Sequence, residues 1–483
     1  MESIKRIITK HSRKMKNSIK FFFVLLSLCF VQESIAKIWL PSILSDNMVL
    51  QQNSEVTIWG WTTHTSEKIT VIGSWNNTEV TTEAYQGTWL VKIRTPKSGG
   101  THSLRIEGHE KIVIQNVLIG EVWIASGQSN MEWTPTQGIL NADEEIKRAN
   151  YPSIRFFQVD RHTAKYPQEN TPGKWVVCSP ETMKDFSAVA YFFAKNIQDK
   201  LSIPMGMISS NWGGTPVETW ISSKLINENE ELKKAATKIE EKPWWPNDAG
   251  LAYNAMIYPL SKFNIAGCIW YQGESNRQNP NSYYKSFPLL IKSWRKLWKK
   301  DFSFYYAQIA PFKYDENNAI DAAIVRDAQL ATMLNTPKTG MVVTNDIGNL
   351  EDIHPLNKQE VGRRLALWAL AKDYGVGKLA HSGPVYKSME IRKNKIVLSF
   401  DHADNGLIKK RKHLTYFTVA GADRIFKKAK AKIVGNTIIV FAINVKDPVA
   451  VRFAFTDTAE PNLYNTEGLP ASAFRTDTWS FEQ

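Results

Sequence analysis

Residues 121–134 read EVWIASGQSNMEWT. An apolar run, Val122-Trp123-Ile124-Ala125, passes into Ser126-Gly127-Gln128-Ser129-Asn130 and then into residues able to open a helix. Two structures end a greasy strand in this way. One is an ordinary strand-to-helix turn, with Gly supplying an unusual backbone angle and Ser or Asn capping the helix. The other is a nucleophile held at the carboxyl edge of a sheet, and the rest of the chain must choose between them.

The same grammar recurs downstream. MGMISS leads into Asn211-Trp212-Gly213-Gly214-Thr215, CIWY leads into Gln272-Gly273-Glu274-Ser275-Asn276, and Asp352-Ile353-His354-Pro355 precedes a last amphipathic segment, QEVGRRLALWALAKDYG. Apolar strand candidates alternate with helix-like segments such as FSAVAYFFAKNIQDKL, which predicts an α/β layer over 120–375 with a mainly parallel sheet. Asn357, followed three residues later by Glu360, looks like a capping box for the final helix. Residues 226–248 form a charged helical insertion closing on Lys242-Pro243-Trp244-Trp245-Pro246, where the paired Trp suit either a sugar platform or a locally packed loop.

On either side the pattern changes to short alternating runs split by turns. EVTIWGW, KITVIG, WLVKIR and HSLRIEG within 37–119 predict a β-sandwich-like module, and MEIRKNKIVLSF, KAKIVGNTIIVFA and AVRFAF within 376–483 predict a second β module. With 483 residues, 43% hydrophobic and 22% charged, the chain has enough apolar material for these modules and is neither disordered nor membrane-embedded in composition.

The first 36 residues carry seven Lys or Arg ahead of FFFVLLSLCFV and end in small residues at Ser34 and Ala36. They read as a signal peptide, so export to a periplasm or the outside is expected, with no stable membrane anchor. Leu28 is too bulky for a lipoprotein signal at Cys29. Removing this leader lowers the net charge from +13 to +8, and no basic block interleaved with aromatics suggests a nucleic-acid partner. Two cysteines remain, Cys178 and Cys268, too few for a disulfide framework.

Chemically, the strand ends supply the parts of an acyl-transfer site. Ser129 is the candidate nucleophile, and a neutral hydroxyl needs a base within hydrogen-bond reach. Only His162 and His354 lie between 120 and 375, and His162 sits in a polar segment without a strand-end motif, which leaves His354. Asp352 or Glu351 would orient the imidazole, Asp352 being favoured, and a Ser-His dyad is the alternative. The oxyanion donors are expected from the Ser129 N–H, a backbone N–H at Gly213 or Gly214, and the Asn276 amide, each worth on the order of 3 kcal/mol of barrier. On that assignment Asn276→Ala removes turnover and spares the fold.

This order of strand-end Ser, then Gly, then Gly-x-x-Asn, then a late His resembles the SGNH hydrolase block pattern. The longer strings GEVWIASGQSNM, NWGGTPVETW, IWYQGESN, DIHPLNKQEVGRRLA and LYNTEGLPASAFRTDTW are similar to the sialate O-acetylesterase family over nearly all of the mature chain. The resemblance implies an SGNH-type three-layer α/β/α catalytic domain that hydrolyses acetyl esters of sialic acid or related glycans without metal or cofactor. It places the reaction on Ser129, His354, Gly213 or Gly214, and Asn276. Arg326, in a string shared with the family, would meet a substrate carboxylate unless it forms a structural ion pair, and Trp212 and Gln128 would line the sugar site. Acetylated xylan or pectin side chains are the alternative substrates, and an inactive glycan-binding protein is the alternative class.

Overall fold

The computed structural model describes residues 37–314 and 320–481. The expected signal peptide at 1–36 lies outside the described residues. Among the described residues no helix is long and apolar enough to cross a membrane.

The alternating N-terminal pattern does form antiparallel strands. Thr88–Arg94 buries every second residue, and it joins Ile38–Trp39 and Glu55–Thr62 in one three-stranded sheet. Lys68–Gly73, Glu79–Glu83 and Gly99–Glu107 form the facing layer, where Gly99–Glu107 pairs antiparallel with the start of strand β1 (Lys111–Gly127). Strand β1 is 17 residues long and does not stop at the expected 119/120 boundary. Its first half belongs to the N-terminal module and its second half, buried without interruption from Val117, enters the central layer. The strand is interrupted only by a bulge at Asn116, whose backbone is left-handed at φ +55°, so the module boundary falls inside a strand that continues past it.

The central strands are β2 (Tyr151–Val159), β3 (Gly173–Cys178), β4 (Met205–Asn211), β5 (Gly267–Tyr271), β6 (Ser303–Ala307) and β7 (Thr339–Val342), in the order β3-β2-β4-β1-β5-β6-β7. Every pair is parallel except β2–β3 at the edge, and the N-terminal strands extend the whole into a large mixed sheet. Both faces of the central strands are covered, which is why their sequences are continuously apolar. Val122, Ile124, Cys268, Trp270, Phe304 and Tyr306 pack to one side with helices α3 (Tyr283–Trp298) and α4 (Asp321–Asn335). Trp123, Ala125, Ile269, Tyr271 and Tyr305 pack to the other with helices α2 (Ala188–Leu201) and α5 (Lys358–Lys372). Past the end of β1 the chain opens a single turn, α1 (Ser129–Glu132).

Helix α5 carries half of the expected capping box. Asn357 accepts the Glu360 N–H at 3.1 Å, but the Glu360 carboxylate turns to Arg363 and Arg364 instead of back to the cap. Arg364 also makes a two-pronged pair with Asp346 at 2.7 and 2.8 Å, which ties the loop leading to His354 onto the helix. Separate antiparallel sheets follow at the C-terminus, one of them ordered from Val385–Arg392 through Lys395–Asp401 and Thr437–Phe441 to Lys430–Val434.

Candidate active site

Three parallel strands finish level. Asn211 of β4 and Tyr271 of β5 are both register partners of Gly127, the last residue of β1, so three loops leave the sheet at one height. Carboxyl ends of adjacent parallel strands are where open α/β sheets place their ligands. Gly127 has φ +138°, and a Cβ there would come within 2.2 Å of the Tyr271 carbonyl, so glycine is obligatory. The chain then turns sharply: Gln128 N–H donates to Tyr271 O at 3.0 Å, and Ser129 begins α1 half-buried.

His354 comes from the loop before α5, and its Nε2 stands 2.9 Å from Ser129 Oγ although 225 residues separate them. Asp352 Oδ1 lies 3.4 Å from His354 Nδ1 and accepts the His354 backbone N–H at 2.9 Å. The carboxylate thus favours the tautomer with its proton on Nδ1, which leaves Nε2 free to accept from the serine. Glu351 is exposed, and Asn349 Oδ1 accepts its backbone N–H at 2.9 Å. Trp133 stacks on the imidazole with centroids 4.1 Å apart and planes 15° from parallel, which fixes the ring plane. Burial, with help from the Lys358 charge, holds the His354 pKa below its ordinary value, while Asp352 pulls it up.

Beneath Ser129 lies a fully buried polar bracket. Asn130 donates to Glu274 Oε1 at 2.7 Å and to the Ile353 carbonyl at 3.0 Å, and accepts from Lys358 Nζ at 2.5 Å. One amide therefore joins the serine turn, the β5 loop, the histidine loop and α5. Burial pushes the Lys358 ammonium down to about 7 and raises the Glu274 carboxyl, against the attraction between them.

The expected oxyanion donors fare differently. As the first residue of α1, Ser129 has an N–H with no intrahelical acceptor. Gly213 sits against Ser129, since a Cβ on it would be 3.3 Å from Ser129 Cβ, but its N–H donates to Glu132 Oε2 at 2.8 Å. Glu132 is held in turn by Arg161 through a 2.6 Å bond from Nε. The Gly214 N–H forms no hydrogen bond among the described residues. Asn276 has both amide hydrogens engaged, on Glu218 Oε2 at 2.9 Å and Asn279 Oδ1 at 3.0 Å, and its oxygen accepts from Val217 N and Gln272 Nε2. It braces a buried network and has no hydrogen left for an oxyanion.

Arg326 requires a correction. It is 1% exposed on α4, with its guanidinium on the Thr456 and Asp457 backbone carbonyls of the C-terminal module, so its engagement is structural, through carbonyl hydrogen bonds in place of the expected ion pair. Gln128 is buried and its Oε1 receives the Gly273 N–H at 3.1 Å, which makes it a strut between the β1 and β5 loops. Trp212 is half-buried and donates from Nε1 to Trp244 O at 3.2 Å. That bond anchors the Trp244-Trp245 loop over the glycine pair: Gly214 has φ +78°, and a Cβ there would sit 2.2 Å from the Trp245 ring. Trp244 itself is 61% exposed. His162 hydrogen-bonds its own loop at Asp160 O, and both cysteines are buried and free.

Several groups around the serine escaped sequence reasoning. Glu132 lies three residues after Ser129 on the same short helix, a spacing that places both side chains on one face, and Lys358 is the first residue of α5, but neither motif marks them. Arg161 has no local signal at all.

A family model described as "Carbohydrate esterase, sialic acid-specific acetylesterase" matches residues 119–371. The human and Pongo abelii sialate O-acetylesterases are each 29% identical to this chain, over alignments covering 90% of it and 91% of theirs. A crystal structure of a novel carbohydrate acetylesterase from Xanthomonas citri superposes with a TM-score of 0.84 at 35% identity, covering 92% of this chain and all of that one. The chain is a carboxylic ester hydrolase. Within that class, it belongs to the sialic acid-specific acetylesterase family of carbohydrate esterases.

Proposed function

We propose that the protein is an exported sialate O-acetylesterase whose central layer is an SGNH-type three-layer α/β/α catalytic domain, and that Ser129 carries the acetyl group. The observation behind the residue assignment is the 2.9 Å approach of His354 Nε2 to Ser129 Oγ at the shared strand ends. His354 takes the Ser129 proton as Oγ attacks the acetyl carbonyl, and Asp352 stabilises the imidazolium that forms. The Ser129 and Gly214 N–H groups meet the oxyanion. Collapse breaks the ester bond, the sugar oxygen leaves with the proton from His354, and an acetyl-serine remains. Water then gives its proton to His354, attacks the acetyl carbon, and releases acetate as Ser129 recovers its proton. The Ser129→Ala protein should fold with unchanged melting temperature and release no acetate from a chromogenic acetyl ester; undiminished hydrolysis would remove Ser129 from the mechanism.

The burial of Arg326 favours a second reading of the substrate, an O-acetylated neutral glycan such as xylan or a pectin side chain, since the guanidinium expected for a carboxylate is engaged elsewhere. Acetate release from O-acetylated sialic acids against acetylated xylan separates the two.

A further inference from the structure

Far from the strand-end loops, the outer face of the three-stranded N-terminal sheet is unusually aromatic. Trp39 and Trp61 are cross-strand partners, with rings 6.3 Å apart and planes 20° from parallel. Trp39 is 41% exposed, Leu90 43%, and Tyr85, on the turn before Thr88–Arg94, 74%. A sandwich module gains nothing for its own core from rings left in water. Beside them is a groove of about 570 Å³ lined by Trp59, Trp61, Tyr85 and Leu90 from this module, with Glu83, and by Glu169 and Lys262 from the central part of the chain. Lys262 closes the groove wall by pairing with Glu169 at 2.9 Å, its ammonium 6.0 Å over the Trp59 ring. Trp59 is 2% exposed, and its Nε1 hydrogen has no partner. That nitrogen is sealed from solvent, so Trp59 contributes a ring to the groove wall and not a donor.

We propose that this groove is a second, non-catalytic carbohydrate-binding site, and that it takes neutral pyranose units of the glycan that carries the ester. A pyranose ring presents an apolar face of C–H groups to Trp61 and Tyr85, and its hydroxyls donate to the Glu83 and Glu169 carboxylates and accept from the Lys262 ammonium. Two carboxylates against one ammonium disfavour an acidic sugar, so a neutral unit fits and a sialic acid does not. No residue of this groove touches Ser129 or its hydrogen-bonded partners, so the site would add affinity for a polymer by holding it at a second point.

The choice of ligand class rests on the acetylesterase reading, and the test keeps the two apart. The full chain carrying Ser129→Ala is run by affinity electrophoresis through gels containing xylan, desialylated mucin glycan or no polysaccharide. Retardation in one of the glycan gels is expected, falling at least tenfold in apparent affinity with Trp61→Ala and with Tyr85→Ala. Tyr85 is largely solvent-exposed, so its substitution leaves the fold intact and keeps the test decisive if Trp61→Ala fails to fold. On the active background, Tyr85→Ala should leave kcat/KM on a small chromogenic acetate unchanged while raising KM several-fold on an acetylated polymer. Equal migration with and without glycan, or retardation that survives both substitutions, overturns the proposal. So does a sedimentation result in which these substitutions only convert a dimer to a monomer, since a second copy of the chain would then be the occupant.

Discussion

Replacing Asp352 by Asn removes one charge and preserves shape, and the structure sets the size of the effect. The carboxylate is 3.4 Å from His354 Nδ1, beyond a good hydrogen bond, and its side chain is 47% exposed. At that separation two unit charges interact by about 1 kcal/mol in bulk water and about 5 kcal/mol at an effective dielectric of ~20. Half-exposure places the pair toward the wet limit, at about 1.5 to 3 kcal/mol of imidazolium stabilisation, hence a ~10- to ~150-fold loss of kcat. A buried, fully bonded triad aspartate is worth about 10⁴-fold by comparison. The asparagine oxygen can still accept the His354 backbone N–H, so the loop should hold its shape and the melting temperature should not move. Because Asp352 raises the His354 pKa, its loss lowers it further, and the acid limb of kcat/KM against pH shifts to lower pH. The assay is a pH–rate profile on a chromogenic acetate, with Glu351→Gln alongside as the neutral control. Full activity in Asp352→Asn, or an equal loss in Glu351→Gln, refutes the assignment.

Lys358→Met removes a charge that lowers the His354 pKa, so the acid limb should move the opposite way, toward higher pH; a limb that stays put would uncouple the lysine from the histidine. In the unmodified enzyme that limb should fall below the ordinary histidine value of 6.5. Asn276→Ala leaves the buried Glu218 carboxylate short of a donor and should cost about 3 kcal/mol of stability, visible as a lowered melting temperature. Lost turnover with an unchanged melting temperature would restore Asn276 to the oxyanion hole. Arg326→Met should likewise cost stability, because it opens the contact between α4 and the C-terminal module, without altering the preference between acidic and neutral acetylated sugars; a changed preference would return Arg326 to the substrate.

What could be seen in the sequence was whatever has a local period or composition. Alternation in TWLVKIR and continuous apolarity in GCIWY each reflect how many faces of a strand are covered, so these strands and their ends were legible. Ser129 follows a strand end as read, whereas His354 reaches it from the loop before α5, well past the last residue of β7. Partner choice was not legible. Whether the Asn276 amide faces a cavity or Glu218 depends on where a 3₁₀ turn at Val217–Trp220 folds, and no spacing encodes that. Arg326 was misplaced for the same reason, because its carbonyl partners at Thr456 and Asp457 lie 130 residues away. The carboxylate of Glu132 on the Gly213 N–H is a further such case. The passage of β1 through the module boundary was hidden as well, since a bulge at Asn116 bends a strand without the Gly or Pro that would punctuate it.

That strand has a practical consequence for anyone wishing to trim the enzyme. The stretch Lys111–Gly127 acts as a single rod, clamped at one end by its neighbours in the first module and followed at the other by Ser129, the proposed nucleophile. A fragment begun at residue 119, where the family match starts, would saw the rod through at mid-span and leave the serine on a cantilever without its anchor. The first module therefore belongs to the foundations of the catalyst, and excising it should cost the enzyme its rigidity at the point where tolerance for error is smallest.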